Sequence, residues 1–139
     1  MYTIYTDGGA RGNPGPAGAG AVIFDANMKA VVEASEFLGV QTNNWAEYQA
    51  VILGLENLKK FVPANKHKEV EVLVRLDSQL VQRQLLGQYR VKDAELYKQY
   101  LKVRNLMNHF PKISFEHVRR EQNVEADKLA NKAMDKGTA

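Results

Sequence analysis

Four acidic side chains in this 139-residue chain stand in contexts that suit a shared metal site: Asp7 in Tyr5-Thr6-Asp7-Gly8-Gly9, Glu47 in Thr42-Asn43-Asn44-Trp45-Ala46-Glu47, Asp77 in Leu76-Asp77-Ser78, and Asp127 in Glu125-Ala126-Asp127. Asp7 and Asp77 end strand-like runs, and Glu47 and Asp127 fall on helical ones. Carboxylates drawn from separate elements form a hard, all-oxygen donor set of the kind Mg2+ prefers. If they converge, the chemistry open to them is metal-assisted attack on an anionic phosphodiester.

Each acid, taken singly, also has an ordinary structural explanation. Asp7 before two glycines suits a turn. Glu47 follows Asn44 by three residues, the spacing of a capping box. Asp77 can cap the helix that follows it. Asp127 has a helical position, where charge commonly faces water. Its phase is more informative: Ala126, Leu129, Ala130 and Ala133 mark an apolar stripe at about 100° per residue, and Asp127 falls on its border. A border carboxylate can reach a neighbouring strand end.

The elements that must position these acids follow from periodicity. Tyr2 to Thr6 reads as a strand ending at Asp7. Gly8 to Gly20 holds six of the ten glycines and two of the four prolines, and reads as a turn-rich connection. Ala21 to Asp25 and Ala30 to Gly39 read as strands joined by a turn at Asn27-Met28-Lys29. Asn44 to Phe61 has helical spacing. Val70, Val72 and Val74 alternate with Glu71, Leu73 and Arg75 in a fourth strand running to Asp77, and a short helix runs from Ser78 to near Gly87. Asp93 suits an N-cap for a helix carrying Leu96, Tyr100, Val103, Met107 and Phe110 on one face. Ile113, Phe115 and His117 form one side of a fifth strand, and Asn123 caps a last helix to about Lys136. The order β-β-β-α-β-α-α-β-α predicts an α/β fold with a mixed sheet flanked by helices, in one domain over 1–139.

Composition is that of a globular chain, 45% hydrophobic and 25% charged. The formal charge is 19 − 16 = +3. With four acids drawn into a metal site, 19 basic groups face 16 − 4 = 12 acidic ones, a footprint suited to a phosphate backbone. The absence of cysteine excludes disulfides and thiolate metal sites. No secretory signal is evident and no apolar run approaches membrane-spanning length, so a cytoplasmic, membrane-free protein is the expectation. Gly12-Asn13-Pro14-Gly15 lacks the following lysine of a phosphate-binding loop and reads as a turn.

The segments Tyr5 to Gly15, Thr42 to Tyr48, Asp77 to Val81 and Glu125 to Ala130 together resemble type 1 ribonuclease H, in order, spacing and element type over nearly the whole chain. The resemblance implies a ribonuclease H-like fold with a five-stranded mixed sheet, its first three strands antiparallel. It implies a monomeric enzyme that hydrolyses the RNA strand of RNA–DNA hybrids with two Mg2+ ions, Mn2+ substituting, and leaves 5′-phosphate and 3′-hydroxyl ends. Asp7 would bridge both ions, Asp127 would complete the site of the ion that activates water, and Glu47 and Asp77 would hold the ion near the leaving oxygen. Asn13 and Asn43, with Asn44 and Gln79, match positions that read the RNA 2′-hydroxyl, and Thr42 matches a phosphate donor. Same-fold alternatives are a nuclease favouring double-stranded RNA or RNA–DNA junctions, and a non-catalytic hybrid-binding module.

The match departs in two places. Only the five residues Gln88 to Lys92 separate Gly87 from Asp93, where longer bacterial members carry a basic helix and loop. The loop histidine of many relatives is replaced by Arg119-Arg120-Glu121-Gln122, which makes Arg119 and Arg120 candidates for substrate contact. Both departures resemble the compact archaeal-type and short bacterial branch. His117 is expected to be structural, and His67 and His109 to lie on the surface.

Overall fold

The computed structural model describes residues 1–139. Five strands, β1 (Tyr2–Ala10), β2 (Gly15–Phe24), β3 (Ala30–Gln41), β4 (Val72–Leu76) and β5 (Ile113–His117), form one sheet in the order β3-β2-β1-β4-β5. The β3-β2-β1 half is antiparallel, and β4 and β5 run parallel to β1. Helices α1 (Asn43–Phe61), α2 (Gln79–Leu85), α3 (Ala94–Met107) and α4 (Val124–Gly137) cover it. The expected element order and mixed sheet hold. No helix is long and apolar enough to cross a membrane.

Alternation assigns the two faces. On β2, Ala21 and Ile23 face α1, and with Ile4, Val72, Val74, Leu76 and the α1 residues Val51, Leu55 and Leu58 they form the main core. Gly18 and Gly20 face α4. A Cβ on Gly20 would lie 2.4 Å from the carbonyl oxygen of Ala126, and one on Gly18 2.5 Å from that of Ala130. The helix backbone therefore rests directly on the strand.

This close approach corrects the reading of Gly8 to Gly20 as a connection. β1 continues through Asp7 to Ala10 and β2 begins at Gly15, so the turn is confined to Arg11–Pro14. Most of the glycines sit in paired strands, several of them where a helix leaves no room for a side chain.

The caps differ from expectation as well. Thr42, not Asn44, caps α1, its hydroxyl oxygen accepting from the Trp45 N–H at 3.2 Å. Ser78, not Asp77, caps α2, accepting from Val81 at 3.2 Å. Asp93 caps α3 as expected, accepting from Glu95 and Leu96. His67 is buried rather than on the surface: its Nε2–H points at the carbonyls of Val62 (2.8 Å) and Lys59 (3.1 Å), satisfying acceptors left open where α1 ends.

Candidate metal centre and nucleic-acid interface

The parallel pairing of β1 with β4 ends at Thr6 and Leu76. The next residue on each strand is an aspartate, so Asp7 and Asp77 emerge side by side at the carboxyl ends of adjacent parallel strands, where α/β sheets commonly place their ligands. Asp7 does not end its strand. It sits inside β1, still paired with Gly20 of β2, and it is buried because β1 runs on beyond it.

Glu47 comes from the second turn of α1. A Cβ on Gly8 would lie 2.0 Å from the Ala46 carbonyl oxygen and 2.6 Å from the Glu47 nitrogen. The bare glycine lets the helix touch the strand, and the Glu47 carboxylate reaches past it towards Asp7. Carboxylate oxygens of Asp7, Glu47 and Asp77 all lie within 4.8 Å of one another. Asp127, half-buried on α4, faces Asp7 from the other side of the cleft, near enough to raise its carboxyl. All four lie in one open cleft of about 390 Å³.

Such a cluster is electrostatically uncomfortable without a cation. Burial, then the neighbouring Asp77 and Asp127 carboxylates, push the Asp7 carboxyl up to about 8, against a smaller opposing pull from Arg120. Glu47 is raised well above its ordinary value by burial, then by the charges of Asp7 and Asp77. One oxygen of Glu47, Oε2, is buried with no hydrogen-bond partner. A buried acceptor facing other acceptors is satisfied by a cation, and an all-carboxylate donor set suits a hard divalent one. The residues fit a metal.

The remaining predicted residues divide. Asn43, Asn44 and Arg120 line the carboxylate cleft, whereas Asn13, Thr42 and again Asn44 line an adjoining one with Trp45. Asn13 and Asn43 form a clamp: the Asn43 N–H donates to Asn13 Oδ1 at 3.0 Å, and Asn43 Oδ1 accepts from the Ala10 N–H at 2.8 Å. Their amide oxygens are thus committed to joining α1 to the β1–β2 turn, and their NH2 groups remain as donors. Gln79 and Arg119 are exposed and lie outside the lining of both clefts. His117 is half-buried, its Nε2–H pointing at the Asp77 carbonyl at 3.2 Å.

Sequence reasoning missed Arg11, Asn131 and Met134, which line the cleft with Ser78 and Gly8–Ala10. The α4 pair had a signal, since positions four and seven residues beyond Asp127 share its face. Arg11 had none, because it lay in the segment read as a loose connection.

A family model described as "Reverse transcriptase-like" matches residues 5–133. Ribonuclease H of Lachnoclostridium phytofermentans is 33% identical over 150 residues, covering 97% of this chain and 92% of that protein. This chain belongs to the ribonuclease H family. Bifunctional protein Rv2228c of Mycobacterium tuberculosis is 44% identical over 133 residues, 95% of this chain, although the chain spans only 35% of that relative's length. The crystal structure of LC11-RNase H1 in complex with RNA/DNA hybrid, from a protein isolated from compost by a metagenomic approach, superposes with a TM-score of 0.94 at 44% identity, covering 100% of both chains. Ribonucleases H are metal-dependent, in keeping with the carboxylate cluster.

Proposed function

We propose that this chain hydrolyses the RNA strand of RNA–DNA hybrids, leaving 5′-phosphate and 3′-hydroxyl ends, with Asp7, Glu47, Asp77 and Asp127 holding two Mg2+ ions for which Mn2+ can substitute. The observation that carries the reading is the meeting of Asp7, Glu47 and Asp77 oxygens within 4.8 Å, with Asp127 lining the same cleft, in a fold matching that of LC11-RNase H1. When bound, divalent cations neutralise the anionic ester and make water a competent nucleophile at neutral pH. The chain's own part is to hold the four carboxylates and to present donors to the substrate.

Asn13 and Asn43 are donors to the RNA strand through their free NH2 groups, because their oxygens are engaged. Such a donor suits a 2′-hydroxyl acceptor, the group that separates RNA from DNA. Asn44 and Thr42 extend this row along the first turn of α1, and Gln79 does so from the first turn of α2. Arg120 contacts the backbone near the scissile bond, with Arg119 beside it.

The test is cleavage of matched, end-labelled hybrid, RNA duplex, DNA duplex and RNA–DNA junction substrates, with Mg2+, with Mn2+ and with EDTA. Metal-dependent cutting of the hybrid's RNA strand is the expected result. Preference for the RNA duplex or the junction would select those substrates instead, and no cleavage of any of them would reduce the chain to a binding module.

A further inference from the structure

The carboxylate cleft has a cation at each end. α4 enters beside Thr6, whose carbonyl accepts from the Asn123 side chain at 2.8 Å, and Arg120 lines the cleft at that end. From there β1 and α4 run in the same direction. Four strand residues from Asp7 to Arg11 advance about 13 Å, and eight helical residues from Asp127 to Asp135 advance about 12 Å. The two elements stay in step, so an Arg11–Asp135 pair closes the far end as the Asp7–Asp127 pair occupies the middle.

The Arg11 guanidinium is held there by three acceptors. Its Nη2 lies 2.7 Å from Asp135 Oδ1, 3.2 Å from Asn131 Oδ1 and 3.5 Å from the Asn131 carbonyl. The ion pair is exposed on both sides, at 43% and 68%. Exposed pairs contribute little net stability, so this one is easily exchanged. A backbone phosphate is the natural competitor, because guanidinium binds it through paired, charge-assisted hydrogen bonds. At about 3.4 Å of helix axis per nucleotide, 13 Å corresponds to roughly four nucleotides.

Resting on the proposed nuclease function, we propose that Arg11 is a substrate-binding residue that leaves Asp135 for a backbone phosphate roughly four nucleotides from the scissile bond, so that Asp135 is a built-in competitor of the substrate. Asn131 keeps the guanidinium at the cleft edge during the exchange. Affinity for the nucleic acid is therefore set in part by a carboxylate that never touches it.

The test is a double-mutant cycle on hybrid binding, measured with Mg2+ in an Asp7→Asn background over a range of salt. Arg11→Gln is expected to weaken binding about 5- to 10-fold and to lower the salt slope by roughly one. Asp135→Asn is expected to tighten binding about 2- to 5-fold when Arg11 is present and to change nothing when position 11 is Gln. Unchanged affinity and slope in Arg11→Gln would overturn the proposal. So would equal tightening by Asp135→Asn in both backgrounds, which would show general repulsion in place of a latch. Arg11→Lys guards against a folding artefact, since it retains the charge, and it is expected to keep the slope while losing part of the affinity. Cleavage by the unmutated protein is read separately, so failure of the nuclease reading is distinguishable from failure of the latch.

Discussion

The side-chain amide of Asn123 donates to the carbonyl of Thr6 at 2.8 Å, joining residues 117 positions apart. Asn123 stands at the N-cap position of α4 but makes no side-chain capping bond. Its side chain instead ties the start of α4 to β1 one residue before Asp7. That tether sets the distance between Asp127 and Asp7. Asn123→Ala is expected to cost about 1–3 kcal/mol of stability and to weaken divalent-cation binding. Thermal melts and a cation titration check this, and an unaltered cation affinity would show that α4 does not need the tether to place Asp127.

Gly8 and Gly20 set how closely α1 and α4 approach the sheet. Gly8→Ala would place a methyl 2.0 Å from the Ala46 carbonyl oxygen, and Gly20→Ala one 2.4 Å from that of Ala126. Both obstacles are backbone, so the helices must move, at about 1–3 kcal/mol or more. Gly9→Ala meets nothing within 4 Å and is expected to leave the melting temperature nearly unchanged. A Gly8→Ala protein as stable as Gly9→Ala would contradict the close packing of α1 on β1.

Asp7 makes stability depend on pH in the absence of a cation. Its carboxyl titrates near 3.8 when unperturbed and at about 8 in the folded chain. The folded state therefore holds the proton more tightly, and the corresponding stability is present below pH 4 and lost as pH rises from about 4 to 8. Asp7→Asn removes this loss and is expected to be more stable than the parent at pH 8, by on the order of 2 kcal/mol, while abolishing cleavage. Denaturant melts across that range check the sign. In the same window, divalent-cation binding to the parent should release at least about one proton, measurable by calorimetry in buffers of differing ionisation enthalpy.

Arg120 lines the cleft and pulls the Asp7 carboxyl downward, whereas Arg119 lies outside the lining. Arg120→Ala is expected to lower turnover about 10-fold or more, and Arg119→Ala to act only on affinity, with steeper loss at high salt. Equal effects of the two substitutions on kcat would remove the distinction.

The four acids were readable because each sits in a recognisable local context, and element order followed from short-range periodicity. Local reasoning also offered a capping role for Glu47 and Asp77. Thr42 caps α1, which puts Glu47 beyond the capping-box position, and Ser78 caps α2, so both carboxylates are free to face Asp7. The glycine-rich segment misled for a related reason. Glycine marks either a turn or a place where another backbone comes close, and only the partner helix distinguishes the two.

The amino-acid order alone determined the sequence of strands and helices, the four acids as candidates and the polarity of the surface, because these depend on side-chain chemistry and spacing within a few residues. Tertiary structure decided that β1 extends to Ala10, that Asn123 serves as a tether, that Arg120 rather than Arg119 enters the cleft, and that Arg11 lies opposite it. The physical reason is range. Desolvation, carboxylate repulsion and helix–strand approach are set by groups tens of residues apart, whose meeting is fixed only when the chain packs.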